Sequence, residues 1–351
     1  MPPHWRTAAL EPLRAFGPPP LAGTIRSVPE DFAVEEELGF APDGAGQHLL
    51  LKIRKRDANT EWVARAIARQ ARVRPSDVGF AGLKDRHAVA VQWFSVPRAG
   101  EAGAASWLEF RHPEFTVLEA HAHGRKLRRG SLAANRFRIR VRALRGDRAA
   151  LAARLALIGT RGVPNYFGPQ RFGRDAANLH ALAHWALEGR ELRGRAERSF
   201  TLSAGRSVVF NAVLARRVQD ASWDRLLDGE IVNLDGSGSV FRIEAPPLDV
   251  AERCAALDVH PTGPLCGRGD LRPSLAAAAV EDEVSAAFTA VTTALETAGL
   301  QRERRALRLK VEALAADLGE DLELSFRLGS GAFATAVLRE LVDADVAGVT
   351  T

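Results

Sequence analysis

Strand-type alternation of apolar and polar residues occurs near both ends of this 351-residue chain, and helical spacing occupies the stretch between them. Near the start, Leu49, Leu51 and Ile53 alternate with polar residues, and the alternation returns from Leu322 to Leu328. Such alternation is typical of half-buried strands. Because strands are stable only within a sheet, the two ends are expected to form one β-rich domain, into which a helix-rich domain is inserted.

The apolar patterns of other segments support this division. Residues 89–96 are apolar on both faces and predict a central strand, and residues 135–144 predict a strand with one apolar face. Asn59 or Thr60 is expected to cap a helix that ends near Pro75. Apolar residues at helical spacing predict further helices: Leu151, Leu155 and Ile158; Leu179, Leu182, Ala183 and Leu187; Val284, Phe288, Val291 and Leu295; and a last helix from Ala334 to Leu341.

Composition excludes several classes of protein. Apolar residues make up 46% of the chain, a globular proportion, but no apolar run is long enough to span a membrane. Cys254 and Cys266 cannot form a disulfide framework in a chain of this length, and the Pro-rich start lacks the apolar core of a signal peptide. We therefore expect a cytoplasmic protein with no membrane partner.

The positive charge of the chain is concentrated in one segment. Lys and Arg number 48 against 43 Asp and Glu, a net charge of +5, yet residues 124–142 contain many basic residues and no acidic one. The basic residues of this segment are Arg125, Lys126, Arg128, Arg129, Arg136, Arg138, Arg140 and Arg142. The last four alternate along the predicted strand and would offer a row of donors to a phosphate backbone. A solvated outer face of a sheet is the alternative.

Asp85 is the first candidate for catalysis. It lies in the sequence Lys84-Asp85-Arg86-His87, between Gly82 and the predicted central strand. Cations on both sides favour the ionised carboxylate, which suits a nucleophile better than a proton donor. A surface ion pair is the alternative, although a loop that enters a buried strand is more typical of a cleft.

Histidine pairs and one aromatic segment are weaker candidates. His121 with His123, and His180 with His184, have spacings compatible with two zinc ligands, but neither pair has a clear third ligand, so no metal site is expected. The segment 165–173 combines aromatic residues, an amide and Arg171 between turn glycines. It either stacks on exposed bases or forms a tight packing corner.

Several short motifs follow one another along the chain. Two long ones are Gly82-Leu-Lys-Asp-Arg-His-Ala88, followed by Gln92, and Asn165-Tyr-Phe-Gly-x-Gln-Arg-Phe-Gly173. The others are Glu30-Asp-Phe-x-Val-x-Glu36, Asn59-Thr60, Asn135-Arg-Phe137, Pro261-Thr-Gly-Pro264 and Gly329-Ser-Gly-Ala-Phe-Ala-Thr335. Their ordered combination resembles the TruD-type tRNA pseudouridine synthase family, and the resemblance covers the chain from near residue 24 to near residue 341.

The resemblance implies an isomerase that converts uridine to pseudouridine in tRNA, in this family typically uridine 13, without a cofactor or metal. By motif match Asp85 is the nucleophile, and Lys84 beside it is expected to act electrostatically. The target uridine has to be flipped into a pocket and held by stacking and an amide contact. The expected pocket residues are Phe32, Asn135, which also positions the aspartate, Phe333, and Phe137, which stands where most other pseudouridine synthases have a tyrosine.

The resemblance also implies a two-domain α+β fold. Residues 1–158 and 308–351 are expected to form a discontinuous catalytic domain with a mixed or mostly antiparallel sheet, and residues 159–307 an inserted, helix-rich TRUD domain. The basic residues of 124–142, together with Arg171, are expected to contact the RNA backbone. The expected partner is tRNA, bound by a monomer with no obligatory protein partner. The alternative function is a non-catalytic RNA-binding protein that uses the same basic strand.

Overall fold

The structure, a computed structural model, describes residues 1–98 and 104–346. Within it the chain forms two compact units. The sheet unit, as we call the first, is built from residues 21–148, 312–331 and 342 onward, and it contains a large sheet. The second, which we call the helical unit, is built from residues 1–20, 149–311 and 332–341. The predicted α+β class is confirmed.

The compact units differ from the predicted domains near both chain ends. The first 20 residues and residues 332–341 are expected in the catalytic domain, but they pack with the middle of the chain. Trp5, for example, stacks on Phe288 with 6.1 Å between ring centroids. Because contacts define compactness and not activity, the division into a catalytic and an inserted domain stays a prediction.

The helices and strands in the described ranges are as follows. The strands are β1 (Leu21–Ile25), β2 (Phe32–Leu38), β3 (His48–Arg56), β4 (Gly79–Phe80), β5 (Val89–Pro97), β6 (Phe115–His123), β7 (Leu132–Gly146), β8 (Val163–Pro164), β9 (Ile231–Leu234), β10 (Val240–Arg242), β11 (Val259–Leu265), β12 (Glu303–Ala306), β13 (Arg308–Leu309), β14 (Glu312–Leu318), β15 (Leu322–Gly329) and β16 (Val342–Val346). The helices are α1 (Pro3–Leu10), α2 (Thr60–Ala71), α3 (Ala104–Glu109), α4 (Ala150–Arg161), α5 (Ala177–Glu188), α6 (Gly194–Gln219), α7 (Leu248–Ala255), α8 (Leu275–Ala286), α9 (Thr289–Thr297) and α10 (Ala334–Leu341).

The sheet of the sheet unit has the strand order β14-β15-β7-β2-β5-β3-β6, and β1 pairs with both β7 and β16. In this part of the described chain the β2–β5 and β1–β16 pairs are parallel, and the remaining pairs are antiparallel. The expected mixed, mostly antiparallel sheet is therefore confirmed. β5 lies between β2 and β3 with nearly all of its side chains buried, as the apolar run predicts.

Helix α2 packs beside β3 and β5. Asn59 caps the helix, because its Oδ1 accepts a hydrogen bond from the backbone N–H of Glu61 at 2.9 Å. Val63 and Ile67 are fully buried and belong to one apolar cluster with Phe94 of β5. Thr60, the first helical residue, is buried as well. Its hydroxyl takes part in the loop contacts described below.

In the helical unit, α5, α6 and α9 contribute to one apolar core. A single helix through residues 284–295 is the expectation from sequence, and it is wrong. The chain forms α8 and α9 instead, because Phe288 between them has φ −118° and ψ 20°, which is not helical. Phe288 is buried against Trp5, so a packing contact from a distant segment accompanies the break.

The 26-residue helix α6 has no counterpart in the sequence-based prediction. Its buried side includes polar residues such as Ser207 and Asn211, which interrupt the apolar period on which the prediction depends. The side chain of Asn211 forms two hydrogen bonds with the backbone of Phe167: its Oδ1 accepts the N–H, and its Nδ2 donates to the carbonyl, each at 2.9 Å. No helix in the described ranges 1–98 and 104–346 is long and apolar enough to cross a membrane.

Candidate active site

Asp85 lies in the loop between β4 and β5 of the sheet unit. Its side chain is 40% exposed, and its Oδ2 is 2.5 Å from Nη2 of Arg26, the residue that follows β1. The Arg26 side chain is mostly buried, and its guanidinium carbon lies 4.2 Å from the centre of the Phe32 ring. Asp85 is thus an accessible carboxylate paired with a cation that is itself held against an aromatic ring.

The side chain of Lys84 contacts residues of two strands, β2 and β7. Its Nζ lies 2.8 Å from Oε1 of Glu36 and donates to Oδ1 of Asn135 at 2.7 Å. The Glu36 side chain is fully buried, and its second oxygen accepts the backbone N–H of Trp93 at 2.9 Å. The charge of Lys84 is therefore balanced by Glu36, and Lys84 fixes the side chain of Asn135 next to the Asp85 loop.

Three buried side chains hold the loop before and at Asp85. The hydroxyl of Thr60 accepts the backbone N–H of Lys84 at 3.1 Å and donates to Gln92 Oε1 at 3.0 Å. Gln92 in turn donates to the carbonyl of Gly82 at 2.6 Å. Lys55, fully buried, donates from Nζ to the backbone carbonyl of Asp85 at 3.1 Å. The backbone around Asp85 is thus fixed from both sides by side chains of α2, β3 and β5.

Aromatic residues of β2, β7 and β15 lie next to one another in the sheet. Phe32 and Phe137 meet edge to face with 6.1 Å between ring centroids, and Phe137 stacks on Phe326 at 5.4 Å. Phe32 and Phe137 are both buried, and the contact of Arg26 with Phe32 links this cluster to Asp85. The structure therefore brings Phe32, Phe137, Asn135 and Asp85 together in one unit.

The alternating arginines of β7 are largely paired with carboxylates on neighbouring strands. Arg136 Nη2 lies 3.0 Å from Glu37 Oε1, Arg140 pairs with Glu323, and two nitrogens of Arg142 contact the buried Asp31. Arg138 is exposed and has no carboxylate partner in the described part of the chain. The row thus carries less unbalanced charge than its sequence indicates.

Glu37 shows how strongly these pairs act. Hydrogen bonds from Arg327 and, to a smaller extent, Arg136 hold the pKa of Glu37 below its ordinary value, although partial burial acts in the opposite direction. The carboxylate is therefore ionised at neutral pH, and it neutralises part of the arginine face.

The remaining predicted RNA contacts lie in two places. Arg125, Lys126, Arg128 and Arg129 are exposed in the connection between β6 and β7. Arg171 belongs to the helical unit, where its Nη1 donates to the Ser203 hydroxyl at 3.2 Å and burial lowers its pKa. Arg171 therefore belongs to a different compact unit from the basic segment of residues 124–142.

Phe333 and the 165–173 segment also belong to the helical unit. Phe333 lines a pocket of about 220 Å³ with Phe200 and Arg171. In the segment itself, Tyr166 and Phe167 are buried. Asn165 donates to the backbone carbonyl of Ala306 and accepts a hydrogen bond from the side chain of Arg305. Of the two interpretations left open by the sequence, the packing corner describes these aromatic residues.

Three of the four histidines considered as metal ligands have carboxylate partners. His123 Nδ1 lies 2.8 Å from Asp43, His121 Nε2 lies 3.0 Å from Glu119, and His184 contacts the glutamate one turn later. Across residues 1–98 and 104–346, no group of three or more His, Cys, Asp or Glu side chains is arranged to hold a metal ion.

Comparison with known proteins identifies the family. The family model described as tRNA pseudouridine synthase D (TruD) matches residues 13–194 and 191–341. The chain belongs to this family. It is 48% identical over 337 residues to the tRNA pseudouridine synthase D of Methylococcus capsulatus, covering 95% of each chain, and 46% identical to that of Nitrosococcus oceani, covering 93% of this chain and 92% of the other.

A solved structure supports the fold. The crystal structure of the putative tRNA pseudouridine synthase D from Methanosarcina mazei superposes with a TM-score of 0.73, over 97% of this chain and 98% of that one. The two sequences are 21% identical, so the superposition bears on the fold alone. The family match covers residues 13–341, and the superposition shows the same fold over 97% of the chain.

Sequence reasoning alone does not find three residues of this candidate site. Arg26, Lys55 and Glu36 lie outside the segment around Asp85, and Arg26 and Lys55 stand 59 and 30 positions from it. A signal is present only for Glu36, which ends one of the motifs that resemble the family. The partners of Asp85 therefore become visible only when β1, β3 and the loop are assembled.

Lys55 provides a prediction for pH dependence. Burial lowers its pKa from 10.5 to about 8. Between these two values the unfolded lysine stays protonated while the folded one has lost its proton, so rising pH favours the folded state. From about pH 7 to about pH 9.5, the free energy of unfolding of the wild-type protein is expected to rise by about 2 kcal/mol relative to the Lys55→Met variant.

The measurement is urea unfolding of both proteins at the two pH values. Lys52→Met is the matched control. Burial acts to lower the pKa of Lys52, but the hydrogen bonds that Lys52 donates to Glu35 and Glu119 raise this pKa above 10.5, so its titration lies above this pH range. Wild type and Lys55→Met with the same pH dependence would show that Lys55 keeps an ordinary pKa in the folded protein.

Proposed function

We infer that this chain is a tRNA pseudouridine synthase, an isomerase that converts uridine to pseudouridine in tRNA. The observation that carries this inference is membership of the tRNA pseudouridine synthase D family over nearly the whole chain. The structure adds an accessible carboxylate, Asp85, within the segment 82–88 that resembles the family signature. A binding protein without catalysis would not need a carboxylate fixed in this way.

The proposed reaction rearranges one nucleoside. The C1′–N1 bond of uridine breaks, the uracil turns over in place, and C5 joins C1′; the hydrogen on C5 leaves as a proton, and N1 ends with one. We assign the nucleophile to Asp85, whose carboxylate either attacks C1′, assists loss of uracil through a glycal-type intermediate, or adds to C6. All three routes need the same exposed carboxylate, whose Oδ2 lies 2.5 Å from Nη2 of Arg26.

The proposed target is the uridine at position 13, flipped out of the tRNA. Phe32, Phe137 and Phe333 are the aromatic residues proposed to line its pocket, with Asn135 as the amide contact. The contacts between Phe32 and Phe137, and the hydrogen bond from Lys84 to Asn135, support this assignment for the sheet unit. We assign Lys84 a positioning role, which it exerts through Asn135. The protein is proposed to act in the cytoplasm and as a monomer.

The test is release of tritium from tRNA transcribed with 5-³H-uridine, because bond formation at C5 expels that hydrogen. Wild-type protein is expected to release one tritium per modified uridine, and loss of the signal from a transcript with cytidine at position 13 would assign the site. Tight binding of tRNA without tritium release would favour the alternative, a non-catalytic RNA-binding protein.

Reversal of charge on β7 tests the RNA contacts. Arg138→Glu combined with Arg140→Glu is expected to weaken tRNA binding about tenfold or more near 0.1 M salt, and to reduce the slope of log affinity against log salt by about 2, since two phosphate contacts are lost. The measurement is a salt series of tRNA dissociation constants.

The matched control is Arg65→Glu with Arg69→Glu, which makes the same charge change on the exposed side of α2. It is expected to have the smaller effect on the salt slope. Equal effects of the two double variants would mean that net charge alone controls binding, and that β7 is the solvated face of a sheet.

A further inference from the structure

A cavity of about 600 Å³ in the sheet unit is lined by residues other than those described around Asp85. It is lined by residues that follow β2 and residues of the connection between β6 and β7. The lining residues with aromatic or charged side chains are Phe40, Asp43, His123, Arg125, Lys126 and Arg128. The size suits a nucleotide, and this combination of rings and cations matches the chemistry of one.

Phe40 presents an aromatic surface in this cavity. One face of its ring stacks on His123, with 5.1 Å between centroids and 17° between planes. The histidine is buried and fixed by Asp43, whose Oδ2 lies 2.8 Å from Nδ1 and also accepts the backbone N–H of Gly124 at 2.8 Å. Phe40 nevertheless keeps 39% of its surface exposed. A held ring with an exposed surface is what stacking on an unpaired base requires.

The cations of the cavity carry unbalanced charge. Arg125, Lys126 and Arg128 are exposed, and no ion pair joins them to a carboxylate within the ranges that the structure describes. Lys126 donates to the carbonyl of Ser76, and Asp43 is already paired with His123. Two arginines and a lysine beside an aromatic surface can accept a phosphate while the base is stacked.

The basic connection is attached to the segment that leads to Asp85. Gly130 donates its N–H to the carbonyl of Ala81 at 2.8 Å, and the guanidinium of Arg129 lies 4.3 Å from the centre of the Phe80 ring. A Cβ on Gly79 would lie 2.4 Å from the carbonyl oxygen of Leu127, so the two segments approach at a distance that only glycine permits. RNA bound at Asp85 would therefore have the basic connection close by.

We propose that this cavity binds a second nucleotide of the tRNA, with its base stacked on Phe40 and its phosphates held by Arg125 and Arg128. The proposal rests on the proposed function, because it takes tRNA as the ligand. It differs from a purely electrostatic contact in one respect. Part of the affinity comes from stacking, which does not depend on salt.

The experiment compares Phe40→Ala, Phe40→Tyr and Arg128→Ala in tRNA binding over a salt series and in tritium release. Phe40→Ala is expected to raise the dissociation constant and KM about 5- to 100-fold, with kcat and the salt slope unchanged, since an uncharged ring is lost. Phe40→Tyr keeps the ring and is expected to bind as wild type does. Arg128→Ala is expected to reduce the slope by about 0.9.

Phe241→Ala is the matched control, because Phe241 is exposed to a similar extent, 37%, on β10 of the other unit. Wild-type affinity and KM in Phe40→Ala would overturn the proposal while leaving the proposed function intact. Equal weakening by Phe40→Tyr would also overturn it, because tyrosine preserves stacking. If wild-type protein releases no tritium, the proposed function fails, and the dissociation constants still decide whether Phe40 stacks on tRNA.

Discussion

Replacement of Asp85 by Asn is expected to abolish tritium release from tRNA containing 5-³H-uridine, lowering kcat by on the order of 10³-fold or more, while tRNA binding persists. The amide has nearly the shape of the carboxylate and can still accept a hydrogen bond from Arg26. It carries no negative charge, however, so it can neither attack the sugar or the base nor stabilise positive charge at C1′. Binding and activity are measured on the same protein preparations.

The control for this variant is Asp57→Asn. Asp57 is an aspartate of the same unit with a similar exposed fraction, 44% against 40%, and it pairs with His87 and Arg86. Its replacement is expected to leave kcat within about twofold of wild type. Asp85→Asn with wild-type kcat would remove Asp85 from the role of nucleophile.

Removal of the Glu36 carboxylate is expected to be the most destabilising single change near the site. In Glu36→Ala the ammonium of Lys84, whose side chain is 8% exposed, keeps no carboxylate partner, and the backbone N–H of Trp93 loses its acceptor. Removing one partner of a buried ion pair leaves the other charge unpaired, which typically lowers the free energy of unfolding by about 3–5 kcal/mol. The free energy of unfolding is measured with urea, followed by tryptophan fluorescence.

Two further variants separate this mechanism from a general effect of truncation. Glu36→Leu combined with Lys84→Met removes both charges and is expected to recover most of the lost stability. Glu30→Ala breaks the exposed pair of Glu30 with Arg56 and is expected to cost less than about 1 kcal/mol. A double variant as unstable as Glu36→Ala would show that packing, and not the isolated charge, determines the loss.

The parts of the fold with a regular apolar period could be predicted from the sequence. β15 and α10 contain such a period and β5 is an apolar run, and each element was found where its pattern lies. α6 could not be predicted, because its buried side contains Ser207 and Asn211, whose partners belong to other segments. The break at Phe288 depends in the same way on a distant residue, Trp5.

The candidate site also depends on contacts with distant segments, which the local sequence does not reveal. The segment around Asp85 indicates a loop that enters a buried strand, and the structure has that loop. The direction of Lys84 could not be predicted, because it is determined by Glu36 and Asn135 on two other strands. Counting charges along β7 likewise overlooks the carboxylates of β2 and β15 that lie opposite its arginines. The sequence of one strand shows which of its residues are charged. The net charge of the assembled sheet face also depends on the residues of the adjacent strands.

The position of β7 within the sheet has a consequence for synthesis of the chain. One edge of β7 pairs with β15, whose residues are made only after the 149–311 stretch that follows β7. Until then, that edge has backbone N–H and C=O groups without their strand partner, which is the arrangement that leads nascent chains to associate. Glu37 and Asp31, the partners of Arg136 and Arg142, precede β7, but Arg140 lacks its partner Glu323 until β15 is made. Arg140, with the exposed Arg138 beside it, makes such an edge repel a second copy of itself. A charge that is balanced by Glu323 in the finished sheet therefore protects the unfinished one.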